Sequence, residues 1–91
     1  MAYMTVKVIS FFQEGCMGCK EQALILTEVE KDLGIEIEVI DAVKNPQYIK
    51  EHRLRVTPTT LIIEDGDVRE RMEGFVHRED LEAAIRRNLP G

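Results

Sequence analysis

Apolar and polar residues alternate along the chain in patterns that predict a β-α-β unit in its first 40 residues. Residues 5–12 form an almost continuous run of β-branched and aromatic side chains, typical of a strand covered on both faces. From residue 19 to about residue 33, apolar positions recur at helical spacing, and Gly34 follows as a left-handed stop. These apolar positions are Ala23, Leu24, Leu26, Val29 and Leu33. Residues 35–40 alternate and then become wholly apolar, which predicts a strand parallel to the first after a right-handed crossover.

The middle of the chain predicts a short helix followed by a β-hairpin. Pro46 is well placed for the first turn of that helix. The side chains expected to point inward are those of Tyr48, Ile49 and Leu54. The dipeptide Asp65-Gly66 is a strong hairpin signal, and residues 60–64 and 67–73 on its two sides have strand patterns. The returning strand carries two apolar side chains predicted to share one face, Val68 and Met72.

A last amphipathic helix is predicted over residues 78–89, with acidic residues in its first turn and arginines in its last turn. Its apolar stripe is Leu81, Ala84, Ile85 and Leu89, and Pro90-Gly91 ends it. The chain has 91 residues, of which 44% are hydrophobic, enough to bury one modest core. We therefore expect a single α/β domain over residues 1–91.

Charge and hydropathy narrow the expected partners. The net charge of -5 and the lack of a long basic run argue against nucleic acid and against anionic membrane surfaces. No segment approaches the roughly 20 apolar residues that span a bilayer, and residues 1–5 lack the basic start of a signal peptide. The expected location is the cytoplasm, where a pair of cysteines is more often catalytic or metal-binding than structural.

Both cysteines of the chain lie in the segment Cys16-Met17-Gly18-Cys19, directly after the first predicted strand. Two cysteines three residues apart on a helix bring their sulfurs close enough to form and break a disulfide. Cys16, just before the first helical turn, faces unpaired backbone N–H groups that favour its thiolate, which makes it the predicted nucleophile. Cys19, one turn further in, is the predicted resolving thiol. Lys20 adds a positive charge that supports the thiolate weakly.

The chain resembles the thioredoxin-like family in its short form, over nearly its whole length. The features that carry the resemblance are the segment 16–20, the Val-Thr-Pro-Thr segment 56–59, the 65–66 hairpin and Gly74 before the last helix. The resemblance implies a β-α-β-α-β-β-α fold, with a four-stranded mixed sheet and three helices. It also implies a cis bond before Pro58, beside the cysteines, and pairing of the Thr57 backbone with an extended substrate segment. Gly74 and Phe75 are expected to form another wall of that groove.

The two residues between the cysteines, Met17 and Gly18, are further candidate substrate contacts. Met17 either steers partners through a soft apolar contact or fills an exposed gap. Gly18 replaces the proline usual in thioredoxins and loosens the turn that holds the two sulfurs. The two histidines of the chain, His52 and His77, are expected to be solvated.

Other neighbours of the cysteines also depart from the thioredoxin pattern. Gly15 replaces the usual aromatic residue and the chain has no tryptophan, so the surface beside the first cysteine is expected to be more open and less apolar. Ser10 corresponds to the buried aspartate of thioredoxins, and Ile37 to the lysine that faces it. Residues 74–77 do not match the glutathione-binding stretch of glutaredoxins, so the chain lies between the two subfamilies.

These observations predict a thiol-disulfide oxidoreductase that acts mainly as a disulfide reductase. It is expected to need no cofactor. Its expected partners are disulfide-containing proteins and a thioredoxin-reductase-like or other thiol electron donor, and a monomer is the expected state. Three alternatives stay open: a glutathione-dependent, glutaredoxin-like reductase, a metal binder whose cysteines supply half of a site shared by two chains, and a non-catalytic interaction module.

Overall fold

The computed structural model describes residues 6–89. Its elements are β1 (Val6–Phe12), α1 (Met17–Leu33), β2 (Ile37–Asp41), α2 (Gln47–His52), β3 (Thr59–Glu64), β4 (Asp67–Glu73) and α3 (Arg78–Asn88). The order β-α-β-α-β-β-α is the predicted one, although β2 begins at Ile37 and not at residue 35. Thr5, the predicted first residue of β1, lies outside the described residues, as do Pro90 and Gly91.

The described strands form the predicted four-stranded mixed sheet, in the order β2-β1-β3-β4. β1 pairs in parallel with β2, while the β1–β3 and β3–β4 pairs are antiparallel. The helices α1 and α3 pack on one face and enclose a first core of Val8, Leu26, Val29, Ile37, Ile62, Val76, Leu81, Ala84 and Ile85. The short α2 lies on the other face, over a second core of Ile9, Phe11, Ala42 and Leu61. Within residues 6–89, no helix has the length and apolar character needed to cross a membrane.

Helix α1 begins and ends where the sequence indicates, but its buried face differs from the prediction. Gly34 ends the helix in the left-handed conformation, with φ of 63°. Of the predicted stripe, Ala23 is exposed and the Leu24 side chain is 71% exposed. The buried residues are Cys19, Gln22, Leu26 and Val29. Their three-four spacing from Cys19 places a polar residue, Gln22, on the face that contacts the sheet.

Helix α2 has six residues, too few to bury a complete face, and three predictions about its environment need correction. Pro46 precedes the helix as its cap, and Ile49 is 39% exposed and not inward. Tyr48 packs on the second core, as does Leu54, which follows the helix. His52 is half-buried and not solvated, because it stacks on Tyr48 with a ring separation of 6.1 Å.

The hairpin between β3 and β4 forms at Asp65 and Gly66, which have φ of 50° and 86°. Positive φ at both residues matches the right-handed twist of paired strands. The predicted shared face of Val68 and Met72 is wrong, because Arg69 is an extra residue in β4. Ile62 pairs with Glu70 and Ile63 with Val68, which is the signature of a β-bulge. The bulge turns Val68 outward, to 45% exposure, while Met72 packs on the first core.

The last turn of α3 binds β4 through Glu70. The Nε atom of Arg87 donates to Oε2 of Glu70 at 2.8 Å, and the second guanidinium arm donates to Oε1. The amide of Asn88 also donates to this carboxylate. The hydrogen bond from Arg87 lowers the pKa of Glu70 below its usual value, against the smaller opposing effect of burial. Glu70 therefore binds a proton less readily in the folded protein than in the unfolded chain.

We expect acid to weaken the fold partly through Glu70. Its stabilising effect is fully present above the ordinary pKa of the unfolded chain and is lost as the pH falls through its lower folded-state pKa. Urea unfolding of wild type and Glu70→Gln between pH 7 and pH 3 tests this, and the variant should show a shallower pH dependence. Glu36→Gln, at an exposed residue before the opposite edge strand, serves as the control. Equal slopes for wild type and Glu70→Gln would contradict the assignment.

Candidate active site

The two cysteines lie at the junction of β1 and α1, joined at disulfide distance. Cys16 is the N-cap of α1, in extended conformation, and its Cα atom is 5.2 Å from that of Cys19. Cys19 lies inside the first turn and is 7% exposed, whereas Cys16 is half-buried. The more accessible sulfur is therefore that of Cys16, as the nucleophile assignment requires.

Backbone groups surround the Cys16 sulfur. The N–H of Cys19 donates to Cys16 Sγ at 3.2 Å, in the manner of a helix cap. The carbonyl oxygen of Thr57 lies 3.5 Å from the same sulfur and can accept from it in the thiol form. The donor and the positive end of the α1 dipole both favour the thiolate of Cys16 once the disulfide is reduced. This electrostatic effect needs no charged side chain in contact with the sulfur.

The segment before β3 lies directly beside the cysteines. The Thr57–Pro58 peptide bond is cis, the form that the sequence predicts. A Cβ atom at Gly18 would lie 3.4 Å from Cδ of Pro58, so this glycine packs against the proline ring. The N–H of Gly74 donates to the carbonyl of Pro58 at 2.8 Å. The fold thus brings Cys16, Gly18, Thr57, Pro58 and Gly74 together from three separate segments.

The remaining predicted site residues lie further out. Met17 is 74% exposed on the first turn of α1, and Lys20 is exposed one turn along. Phe75 is partly exposed and contacts His77 edge to face, with ring centroids 5.2 Å apart. The side chain of Phe75 borders the outer surface of α1 near Leu24 and not the cysteine pair. These three side chains are exposed and available to a partner.

Gln22 is a residue near the site that the sequence analysis missed. Its side chain is 1% exposed, and its amide makes two hydrogen bonds to the backbone of Val76. Nε2 donates to the Val76 carbonyl at 3.1 Å, and the Val76 N–H donates to Oε1 at 2.8 Å. Because Gly74 bonds Pro58, this pair connects the cysteine helix to the loop before β3 through residues 74–76. The available signal was the three-four spacing of Gln22 between Cys19 and Leu26.

Replacing Gln22 with leucine should destabilise the protein by about 1–3 kcal/mol, because two buried backbone groups of Val76 lose their partners. Urea unfolding of the reduced protein measures the change. Gln47→Leu, at an exposed position of α2, is the matched control and should change stability by less than about 0.5 kcal/mol. A loss at Gln22 no larger than at Gln47 would show that the two bonds are not required for stability.

A pocket of about 330 Å³ opens beside the cysteine pair. Its lining consists of Ser10, Phe12, Gln13, Glu14, Gly15, Cys16, Cys19, Lys20, Gln22, Ala23, Leu26, Val39 and Pro58. A Cβ atom at Gly15 would meet nothing within 4 Å, so the open surface expected here is present. The lining of this pocket is mostly carbon. A surface less apolar than that of thioredoxins beside the first cysteine stays a prediction.

The residue that faces Ser10 is not the predicted Ile37 but Val39. Ser10 pairs with Val39 in the β1–β2 ladder, and both line the pocket. Ile37 instead lies opposite Val8 and is buried in the first core. The Ser10 hydroxyl is 3.2 Å from that of Thr60, within hydrogen-bond distance. Among residues 6–89, no three histidine, cysteine or acidic side chains converge as a metal site would require.

Comparison with known sequences gives one consistent result. The thioredoxin family model matches residues 3–87. Thioredoxin 2 of Plasmodium berghei is 31% identical over 87 residues, which cover 93% of this chain and 55% of that protein. Thioredoxin of Bacillus subtilis is 28% identical over 86 residues, covering 92% of this chain and 83% of the relative. The chain therefore spans just over half of the first relative and most of the second.

Comparison with solved structures also finds thioredoxins. A thioredoxin-2 described as a component of the malaria parasite protein secretion machinery superposes with a TM-score of 0.88 at 26% identity, over 97% of this chain and 87% of that one. Thioredoxin of Fasciola hepatica superposes with a TM-score of 0.84 at 24% identity, over 92% and 81% of the two chains. The second similarity, at that identity, is evidence for the shared fold alone.

Proposed function

The chain belongs to the thioredoxin family, and from that premise we propose that it is a disulfide reductase that works through a mixed disulfide with its substrate. Its relatives and its C-x-x-C pair support thiol-disulfide oxidoreductase activity. The observation that carries the proposal is the asymmetric pair at the start of α1, with an accessible Cys16 and a buried Cys19. The reducing direction follows from the cytoplasmic location that we propose on the sequence evidence.

In the first step, the Cys16 thiolate attacks one sulfur of the substrate disulfide. A new bond forms between Cys16 Sγ and that sulfur, and the substrate bond breaks with departure of the second sulfur as a thiolate, which then takes a proton. The Cys19 N–H and the start of α1 favour the attacking thiolate. The nearby Thr57 backbone is the proposed contact for an extended substrate segment.

In the second step, Cys19 loses its proton to solvent and attacks Cys16 Sγ. The Cys16–Cys19 disulfide forms, and the remaining substrate sulfur leaves as a thiolate. Two electrons have then passed from the protein dithiol to the substrate, which ends as two thiols. The 5.2 Å separation of the two Cα atoms makes this second attack intramolecular and fast.

An external donor completes the proposed cycle. A dithiol protein of the thioredoxin-reductase type, or another thiol donor, reduces the Cys16–Cys19 disulfide and restores the starting state. The substrates are disulfide-containing proteins that approach the surface formed by Met17, Gly18, Thr57 and Gly74. The protein acts as a monomer in this proposal.

Trapping the intermediate tests the mechanism. Cys19→Ser, incubated with insulin whose disulfides are intact, should accumulate a mixed disulfide on Cys16 because the second attack cannot occur. Mass spectrometry under non-reducing conditions locates the adduct. The double variant Cys16→Ser and Cys19→Ser is the control and should form none. Absence of an adduct in the single variant would overturn the assignment of Cys16 and Cys19 to these steps.

A further inference from the structure

We infer that the pocket beside the cysteine pair is a subsite for one apolar side chain of the substrate, placed next to the substrate's reacting cysteine. The protein then prefers disulfides flanked by a large aliphatic or aromatic residue. This inference rests on the proposed reductase function and specifies its substrate class.

The position of the pocket connects it to the reacting sulfur. Cys16, Gly15 and Pro58 all contribute to its lining, so its boundary includes the cysteine that attacks the substrate. A substrate cysteine bonded to Cys16 has its neighbouring residues within one or two residue lengths of this lining, since an extended chain rises about 3.3 Å per residue. The pocket is therefore continuous with the surface that the substrate must occupy.

The chemistry of the lining selects an apolar occupant. The two neutral polar side chains in the deep wall already have partners inside the protein, since Ser10 contacts Thr60 and the Gln22 amide bonds both backbone groups of Val76. Three exposed polar side chains also line the pocket, those of Gln13, Glu14 and Lys20. The carboxylate of Glu14 lies 3.8 Å from the ammonium of Lys44. The rest of the lining is mostly carbon and includes the buried Leu26 and the 52% exposed Val39. A polar group that entered beyond the exposed Gln13, Glu14 and Lys20 side chains would lose water without gaining a partner.

The size of the pocket selects a single side chain. A volume of about 330 Å³ is at the small end of ligand pockets, which range from roughly 300 to 1,000 Å³. Space exists because Gly15 contributes no side chain and Ala23 contributes one methyl group. The pocket accommodates a leucine or phenylalanine side chain, while the rest of the substrate segment lies outside.

Synthetic peptides measure the preference directly. We would prepare peptide dimers joined through a single cysteine, identical except for Ala, Glu, Leu or Phe at the position before or after that cysteine. Chromatography of the released peptide thiol gives kcat/KM for the reduced wild-type protein. At one of the two positions, Leu and Phe should exceed Ala by about tenfold or more, as expected when a large apolar side chain is buried. Glu should not exceed Ala.

Two pairs of variants assign the preference to the pocket. Ala23→Met and Val39→Phe fill it from opposite walls and should bring the ratio of Phe to Ala peptides close to one. Leu24→Met and Val43→Phe add the same side chains at exposed positions outside the lining and should keep the wild-type ratio.

Each outcome is decisive. Equal kcat/KM for Ala and Phe peptides in the wild type, or a preference that survives both filling variants, overturns the subsite. Failure of every peptide, including the Ala peptide, would instead contradict the proposed reductase function.

Discussion

Cys16→Ser should lose disulfide reduction by on the order of a thousandfold or more, the largest functional effect that we expect from any single substitution. A serine hydroxyl stays protonated at neutral pH, so the helix start that favours a thiolate has no thiolate to act on. Cys19 does not replace it efficiently, because that residue is only 7% exposed and a protein disulfide reaches its sulfur less readily than that of Cys16. Turnover of insulin with an excess of small dithiol donor measures the loss.

The control for this variant is a measurement of its stability, which shows whether it still folds. Serine is nearly isosteric with cysteine, and the Cys19 N–H that donates to Cys16 Sγ can donate to a serine Oγ in the same capping position. The unfolding midpoint in urea should therefore match that of the reduced wild type within experimental error. Residual activity above about a tenth of wild type, in a variant that remains folded, would contradict the role of Cys16.

The sequence predicted those parts of the fold that depend on local pattern. The order of elements, the left-handed stop at Gly34 and the 65–66 hairpin follow from periodicity and from residues that tolerate positive φ. The cysteines and Pro58 are found together, as the resemblance implied. The local features require only short stretches of chain, whereas the meeting of the cysteines with Pro58 was predicted from the family resemblance.

The features that were missed depend on tertiary packing. Gln22 is polar in sequence, yet its amide is buried because Val76, 54 residues away, supplies both partners. The outward turn of Val68 comes from a bulge in the β3–β4 pairing, which no periodicity within β4 reveals. Val39 faces Ser10 because of the register between β1 and β2. Register and loop contacts are set by the whole sheet and are not encoded in a single segment.

The site depends on the same long-range contacts. Cys16, Pro58 and Gly74 come from three segments, and the bond from the Gly74 N–H to the Pro58 carbonyl joins two of them. Gln22 joins the third segment, the cysteine helix, to the Gly74 segment through Val76. The geometry around the sulfurs is therefore only as stable as the sheet and its two cores, which makes core substitutions relevant to function.

Phe11→Ala should be the most destabilising of the substitutions considered, at about 3–5 kcal/mol. Phe11 is completely buried in the central strand β1, near the end of the strand that leads to the cysteines. Its ring lies 5.6 Å from that of Tyr48 and 5.7 Å from that of His52, centroid to centroid. Alanine would remove this contact and leave a cavity in the second core, beneath the six-residue α2. A chain of this length has a total stability of roughly 5–14 kcal/mol.

Urea unfolding of the reduced proteins at neutral pH measures the effect, and Phe75→Ala provides the matched control. Phe75 is partly exposed and contacts the His77 ring, so its loss should cost about 1 kcal/mol or less. A Phe11→Ala variant that unfolds at the same urea concentration as Phe75→Ala would show that the second core collapses around the missing ring. If the cost is as large as expected, the variant should also lose disulfide reduction at temperatures where the wild type stays folded, because unfolding of β1 displaces Cys16 from the start of α1.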